Sequence, residues 1–228
     1  VPAHAREVFD VSGAGDTALA ALAVSLADGR EIEAAMEIAN SAAAIAVSKL
    51  GTAIVTRAEL EAALNRQIAD AVPPGALVSR GEAAAIAATW RAAGETVVFT
   101  NGVFDLVHPG HISLIEQAAR EGDRLIVGLN ADASVKRLKG DSRPLQDEAA
   151  RARVLGALRD VDLVVLFGED TPGELIEAIR PGVLVKGADY KPHEVVGADF
   201  VIANGGRLVL ADLMAGRSTT ALVKAARS

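Results

Sequence analysis

The chain has no cysteine, which excludes disulfides, thiol catalysis and cysteine-ligated zinc together. It has no apolar run approaching the roughly 20 residues that a bilayer span requires, and no signal-peptide pattern. Basic residues are in deficit: 23 Lys and Arg against 30 Asp and Glu leave a formal charge of −7. That balance argues against bulk nucleic-acid binding, which usually needs a basic face. No nucleic-acid partner and no membrane association are therefore expected, and a reducing cytoplasm fits. What is present in quantity is apolar material. Half of the 228 residues are hydrophobic, enough for one large domain or two small ones and too many for disorder.

The most informative stretch runs from Val97 to His111, VVFTNGVFDLVHPGH. Val97, Val98 and Phe99 are β-branched or aromatic and read as a buried parallel strand. After a turn, His108-Pro109-Gly110-His111 leads into ISLIEQAAREG, where Ile112, Leu114, Ile115, Ala118 and Ala119 recur at helical spacing. Pro109 suits a first helical turn, where its missing N–H costs nothing. Two histidines thus sit where a strand hands over to a helix N-terminus, a place that favours anions through free N–H groups and the helix dipole.

This stretch resembles the HxGH signature of the cytidylyltransferase-like nucleotidyltransferases, a Rossmann-like superfamily. The resemblance implies transfer of a nucleoside monophosphate from a triphosphate to a phosphorylated acceptor, with release of pyrophosphate. The expected fold class is α/β, a parallel sheet covered by helices on both faces and preceded by a helical remnant of another domain.

Residues 1 to about 64 read as two alanine-rich helices, the first opened by Ser12-Gly13-Ala14-Gly15-Asp16. This start resembles the C-terminal signature of the ribokinase-like sugar kinases. The resemblance implies that Gly13, Ala14 and Gly15 would form an anion hole, with Asp16 as catalytic base; backbone N–H groups stabilise developing charge and a carboxylate takes a hydroxyl proton. Such a fold needs a sugar-binding sheet before Val1, so no kinase activity is expected from these residues. Starting without methionine, the chain is expected to continue upstream in a larger protein. Helical pattern persists to Ala71, and Val72-Pro73-Pro74-Gly75 breaks it. We expect residues 1–71 to be the kinase fragment, 72–94 a linker and connecting helix, and 95–228 the nucleotidyltransferase domain. Trp90 reads as a packing residue.

Beyond the HxGH helix the pattern alternates. Strand 125–129 is followed by helix 133–138, a basic loop with Lys136, Arg137, Lys139 and Arg143, and helix 147–159. Then come strand 161–167, helix 172–180, strand 183–187, strands near 199–203 and 207–211, and a last helix from Ser218. Alternation of this kind predicts βαβ units, and right-handed crossovers would gather the ends at Asn101, Asn130, Phe167 and Lys186 along one edge.

Nucleotidyl transfer is an in-line attack by an acceptor phosphate oxygen, already an anion, on the α-phosphorus. It needs no general base, only gathering of polyanions and stabilisation of extra charge. His108 and His111, at i and i+3, share one face of the first turn and can reach one phosphate. A zinc site would lack a third ligand nearby. Asn101 and Gly102 allow close backbone approach, with Val103, Phe104 and Gly110 in the same loop. Asp105 reads first as a turn-bonding residue, with a part in metal binding as the alternative. Lys186 at a strand end, followed by Gly187 and Asp189, reads as functional. By the superfamily resemblance, Lys136 and Lys139 reach the acceptor and triphosphate, and Ser218-Thr219-Thr220 resembles the STT signature that holds the β and γ phosphates. Ser218 is also an ordinary N-cap.

Glycerol-phosphate-type cytidylyltransferases carry an arginine where this chain has Leu213. By contrast, LNADASVKRLKGDSRPL, VLGALRDVD, FGEDTPGELI, VKGADYKPHEVVGAD and NGG resemble the bacterial heptose 1-phosphate adenylyltransferases, often fused behind a ribokinase-like heptose 7-phosphate kinase. That resemblance covers about residues 95–228. It implies ATP and a sugar 1-phosphate as small-molecule substrates, with Mg²⁺ carried by ATP rather than by a protein site; a homodimer is compatible with it. A glycerol-phosphate cytidylyltransferase and an inactive nucleotide-binding module are the alternatives.

Overall fold

The computed structural model describes residues 13–49 and 54–212. The helix expected from Ser218, with Ser218, Thr219 and Thr220, lies outside them. The chain divides into two compact units, Val1–Ala71 and Val72–Ser228.

The first unit contains α1 (Ala14–Ala27), α2 (Ile32–Val47) and α3 (Arg57–Ala71). On α2 the buried positions are Ala35, Ala39, Ala42 and Ala46 with Val47, so its inward stripe is built of small side chains at helical spacing. The Ser41 hydroxyl, also buried, lies 2.9 Å from its own-helix Glu37 carbonyl and 3.2 Å from Gln67 Oε1 on α3.

The second unit is an α/β layer structure. Its elements are β1 (Ala76–Val78), α4 (Arg80–Ala92), β2 (Val97–Gly102), α5 (Pro109–Ala119), β3 (Arg124–Asn130), α6 (Asp132–Lys139) and α7 (Glu148–Gly156). Then follow β4 (Leu163–Phe167), α8 (Gly173–Ile179), β5 (Val183–Gly187), a 3-10 turn at Pro192–Glu194, α9 (Ala198–Ala203) and β6 (Arg207–Ala211). All pairings are parallel and the strand order is β1-β4-β3-β2-β5-β6. The strands are near-continuous apolar runs because both faces are covered. Val98, Leu125, Val127, Val164, Val183 and Val185 share one core with Ile115 and Ala118 of α5 and Ala152 and Leu155 of α7. Their alternating neighbours Val97, Phe99, Ile126, Leu163, Val165 and Leu184 are buried as well, on the opposite face. There α4 packs against β4, β2 and α8.

The sheet runs outward from β2 in two directions. β2 pairs with β3 from Val97↔Arg124 to Gly102↔Leu129, and β5 pairs with β6 from Val183↔Arg207 to Gly187↔Ala211. Between these slabs β2 meets β5 at Val98↔Val183 and Phe99↔Leu184. Beyond that short join the strand ends form the crevice where ligands bind in open α/β sheets.

Two expectations are corrected. Residues 199–203 form α9, not a strand. Gly197 at φ 86° starts the helix, Ala198 and Val201 turn inward at i, i+3, and Ile202 is 55% exposed. The stretch 72–94, expected as a linker and connecting helix, carries β1 and, over the expected helix at 80–94, α4. Ala76-Leu77-Val78 is too short to show periodicity, yet it pairs with Leu163–Val165 at the sheet edge. The turn before it requires glycine, since Gly75 has φ 75° and a Cβ there would lie 1.9 Å from the Gly156 carbonyl oxygen. Finally, Lys136, Arg137 and Lys139 lie in the last turn of α6, where cations suit the dipole, and not in a loop. Trp90 packs as expected, 9% exposed, with the Arg124 guanidinium 5.2 Å from its ring centroid.

Candidate active site

β2 delivers Asn101 and Gly102 to the crevice, and the chain then turns through Val103–Val107 into α5. Phe104 adopts φ 46°, a conformation L residues rarely occupy and one that marks functional loops. Its buried ring covers Gly102, where a Cβ would stand 3.1 Å from it. His108 caps α5: its Nδ1 accepts the Gly110 N–H at 3.2 Å. Nδ1 is therefore unprotonated and, in the neutral ring, the proton resides on Nε2 as a donor. The rings of His108 and His111 stack with centroids 3.9 Å apart and planes 25° apart, and Phe104 lies 5.1 Å from His111. His111 Nδ1 is buried without a hydrogen-bond partner. Burial, then the neighbouring His108 and Lys139, bring the His111 pKa down to about 4, against the opposing pull of the Leu106 backbone. At neutral pH this ring offers a neutral N–H, not a charge.

Lys186 enters from β5. It is the only buried lysine among the described residues, 8% exposed. Its ammonium donates to the Asn101 carbonyl at 2.9 Å, across the join between the two slabs, and lies 5.4 Å from the Tyr190 ring centroid. Burial lowers its pKa to about 8, with Asp189 favouring the charged form. A cleft of about 390 Å³ opens here. Of the expected residues, Asn101, Gly102, Val103, Lys139 and Lys186 line it. Asn101 Oδ1 is buried in it without a partner. Phe104, Gly110, His108 and His111 form the adjoining α5 start, while Lys136, Gly187 and Asp189 are not in the lining. Asn130, Asp170, Thr171, Tyr190 and Glu194 also line the cleft; the sequence singled out only Asn130, as a strand end. Gly13 precedes α1 at φ 78°, and Ala14, Gly15 and Asp16 form its first turn, with Gly15 and Asp16 exposed.

Asp105 is 4% exposed and takes the turn-bonding role. It accepts from Arg143 Nη1 at 2.5 Å and from the Leu145 and Gln146 N–H groups at 2.6 and 3.3 Å. Burial alone would raise its pKa; the Arg143 bond and the backbone donors outweigh that and hold it below the usual value. Arg151 was not anticipated. It is 1% exposed and donates to the Val103 and Gln146 carbonyls and to Asp132 Oδ1 at 2.7, 3.1 and 2.6 Å. The signal available was positional: on α7 it shares the inward face with Ala152 and Leu155, where a bare charge does not belong.

A stacked histidine pair at a helix start and a buried lysine at the switch point of a parallel sheet, beside a cleft that also presents Lys139, are features suited to phosphate chemistry. In agreement, residues 99–201 match the family described as cytidylyltransferase-like, and residues 1–59 match the pfkB family of carbohydrate kinases.

Over its whole length the chain is similar to proteins named "Bifunctional protein HldE". It is 72% identical over 228 residues to "Bifunctional protein HldE" of Azorhizobium caulinodans, covering 100% of this chain and 48% of that protein. To the protein of the same name from Gluconobacter oxydans it is 57% identical, over 100% of this chain and 47% of that one. The chain thus spans about half the length of the curated relatives it matches. A crystal structure of the lipopolysaccharide core biosynthesis protein from Thermoplasma volcanium is 26% identical, covers 53% of this chain and 98% of its own, and has a TM-score of 0.45.

Proposed function

We propose that residues 95–228 transfer the adenylyl group of ATP to D-glycero-β-D-manno-heptose 1-phosphate, giving ADP-heptose and pyrophosphate for a lipopolysaccharide or surface-glycan precursor. The observation that supports the reaction type is a crevice lined by Asn101, Gly102, Lys139 and Lys186 beside the α5 N-terminus, which carries the stacked pair His108 and His111. The base and sugar rest on the resemblance of residues 95–228 to heptose 1-phosphate adenylyltransferases, and the pfkB match ahead of that region supports it.

In this reading an acceptor phosphate oxygen attacks the α-phosphorus in line. A new P–O bond forms, the α–β bridging bond breaks, and pyrophosphate leaves with the electron pair. His108 Nε2–H and the His111 N–H donate to the oxygens that gain charge. Lys186 supplies a positive charge in a low-dielectric position, where it acts more strongly than in water. Lys139 draws polyanions to the cleft mouth. Mg²⁺ would arrive on the triphosphate. Ser218, Thr219 and Thr220 would complete the phosphate grip. The reaction would run in the cytoplasm, where its ATP is made.

The test is pyrophosphate release with Mg²⁺, pairing ATP or CTP with heptose 1-phosphate or glycerol 3-phosphate. Release confined to ATP with heptose 1-phosphate is the expected result. Release with CTP and glycerol 3-phosphate would refute the substrate assignment, and no release in any pairing would refute the enzyme.

A further inference from the structure

We infer that Arg151 is a positioning residue for nucleotidyl transfer, one that sets the peptide between Val103 and Phe104 and locks the two walls of the cleft together. The inference rests on the reading of the site given above.

The observations are geometric. Arg151 is the largest fully buried side chain among the described residues, and it lies on α7, an element that contributes nothing to the cleft lining. Its guanidinium fork reaches three separate segments. Nη1 holds the Val103 carbonyl in the loop after β2, Nη2 holds Asp132 at the start of α6, and Nε holds the Gln146 carbonyl in the loop between α6 and α7. That last loop is gripped from its other side by Asp105, which takes the Leu145 and Gln146 N–H groups. The loop carrying the phosphate-facing backbone and the helix carrying Lys136 and Lys139 are therefore referenced to one planar cation.

The consequence for the reaction follows from peptide planarity. In a trans peptide the C=O and the next N–H point in opposite directions. Fixing the Val103 carbonyl onto Arg151 turns the Phe104 N–H away from α7, and Phe104 is held in its uncommon φ of 46°. A donor that must meet charge only as the transition state forms is useful when its direction is set in advance. Burying a full positive charge for packing alone is unfavourable compared with an apolar side chain of similar volume, so a positional role accounts for an arginine at this point. Lysine is a poor substitute, because a single ammonium cannot match the three directions of the fork.

The experiment compares Arg151→Met and Arg151→Lys with Leu155→Ala, a core truncation one turn along the same helix. Pyrophosphate release from ATP and heptose 1-phosphate is measured below the lowest melting temperature of the set. We expect Arg151→Met to lower kcat about 100-fold with the KM for ATP within about 3-fold. Arg151→Lys should recover part of that loss, and Leu155→Ala should lower the melting temperature while leaving kcat within about 3-fold. A kcat for either arginine variant within about 3-fold of the parent, or a loss matched by Leu155→Ala, would overturn the inference. If Arg151→Met does not fold, Arg151→Lys decides by the same limit. An inactive parent protein refutes the proposed function instead, so the two failures are separable.

Discussion

Replacing Lys186 by methionine should make the protein more stable and less active. The ordinary lysine pKa of 10.5 falls to about 8 at this site, chiefly through burial. At about 1.4 kcal/mol per tenfold change in proton affinity, the folded state carries an unfavourable charge worth about 3 kcal/mol at pH 7. Methionine removes that cost and keeps the volume. It also gives up the hydrogen bond to the Asn101 carbonyl, about 1–2 kcal/mol, and the contact with Tyr190, about 0.5 kcal/mol. The balance is a gain of about 1 kcal/mol, a rise in Tm of about 3 °C for a unit of this size. The pH dependence is a second check. Between the folded value of about 8 and the unfolded value of 10.5 the unfolded chain binds more protons, so parent stability rises with pH. The advantage of Lys186→Met is therefore full below pH 8 and vanishes by about pH 10.5. Urea denaturation at pH 7 and pH 10 measures both. A variant less stable than the parent by more than about 1 kcal/mol at pH 7 would show that the lysine charge is favourably held and refute the reasoning.

His111 should remain neutral down to about pH 4, so its ring resonances should show no titration near pH 6.5. Because the unfolded ring takes up a proton first, His111 lowers stability as pH falls from 6.5 to 4. A titration midpoint at or above 6.5 by NMR contradicts this. His111→Ala should cost about two orders of magnitude in kcat, read by pyrophosphate release. Gly75→Ala should destabilise the second unit by at least about 3 kcal/mol, because the methyl meets the Gly156 carbonyl at 1.9 Å and φ is 75°; thermal melting reads it. Asp105→Asn keeps an acceptor for Leu145 and Gln146 but loses the Arg143 ion pair, and should cost about 1–2 kcal/mol by chemical denaturation.

The parts of the fold legible in sequence were those with a local signature. The run Val97–Phe99 and the turn into His108–His111 announced strand, turn and helix through residue type alone. The same patterning misled at Phe200-Val201-Ile202, three apolar residues that suggest a strand until Gly197 and the inward spacing of Ala198 and Val201 are seen together. β1 escaped notice because a three-residue edge strand has no period to detect. Lys186 was legible as a cation at a strand end, but its burial depends on Tyr190 and the neighbouring strand coming together in three dimensions. Arg151 was hidden because its partners lie 5, 19 and 48 residues away, and no spacing rule along one helix can register them.

The short join between β2 and β5 gives the sheet a seam. Each flanking slab is stitched along its full length, while the seam is stitched at Val98↔Val183 and Phe99↔Leu184 and pinned above by Lys186 on the Asn101 carbonyl. Cooperative units of a protein part where stitching is sparse, and here side chains reinforce the seam: Gln117 exchanges hydrogen bonds with the Asp212 backbone, and Arg207 pairs with Glu121. A polyanion lodged across the crevice would grip both slabs and oppose their parting, by an amount that grows with its concentration over its dissociation constant. The most sparsely paired line inside the sheet is thus the one that a ligand in the crevice would span, so occupancy and sheet integrity are coupled through the same two strands.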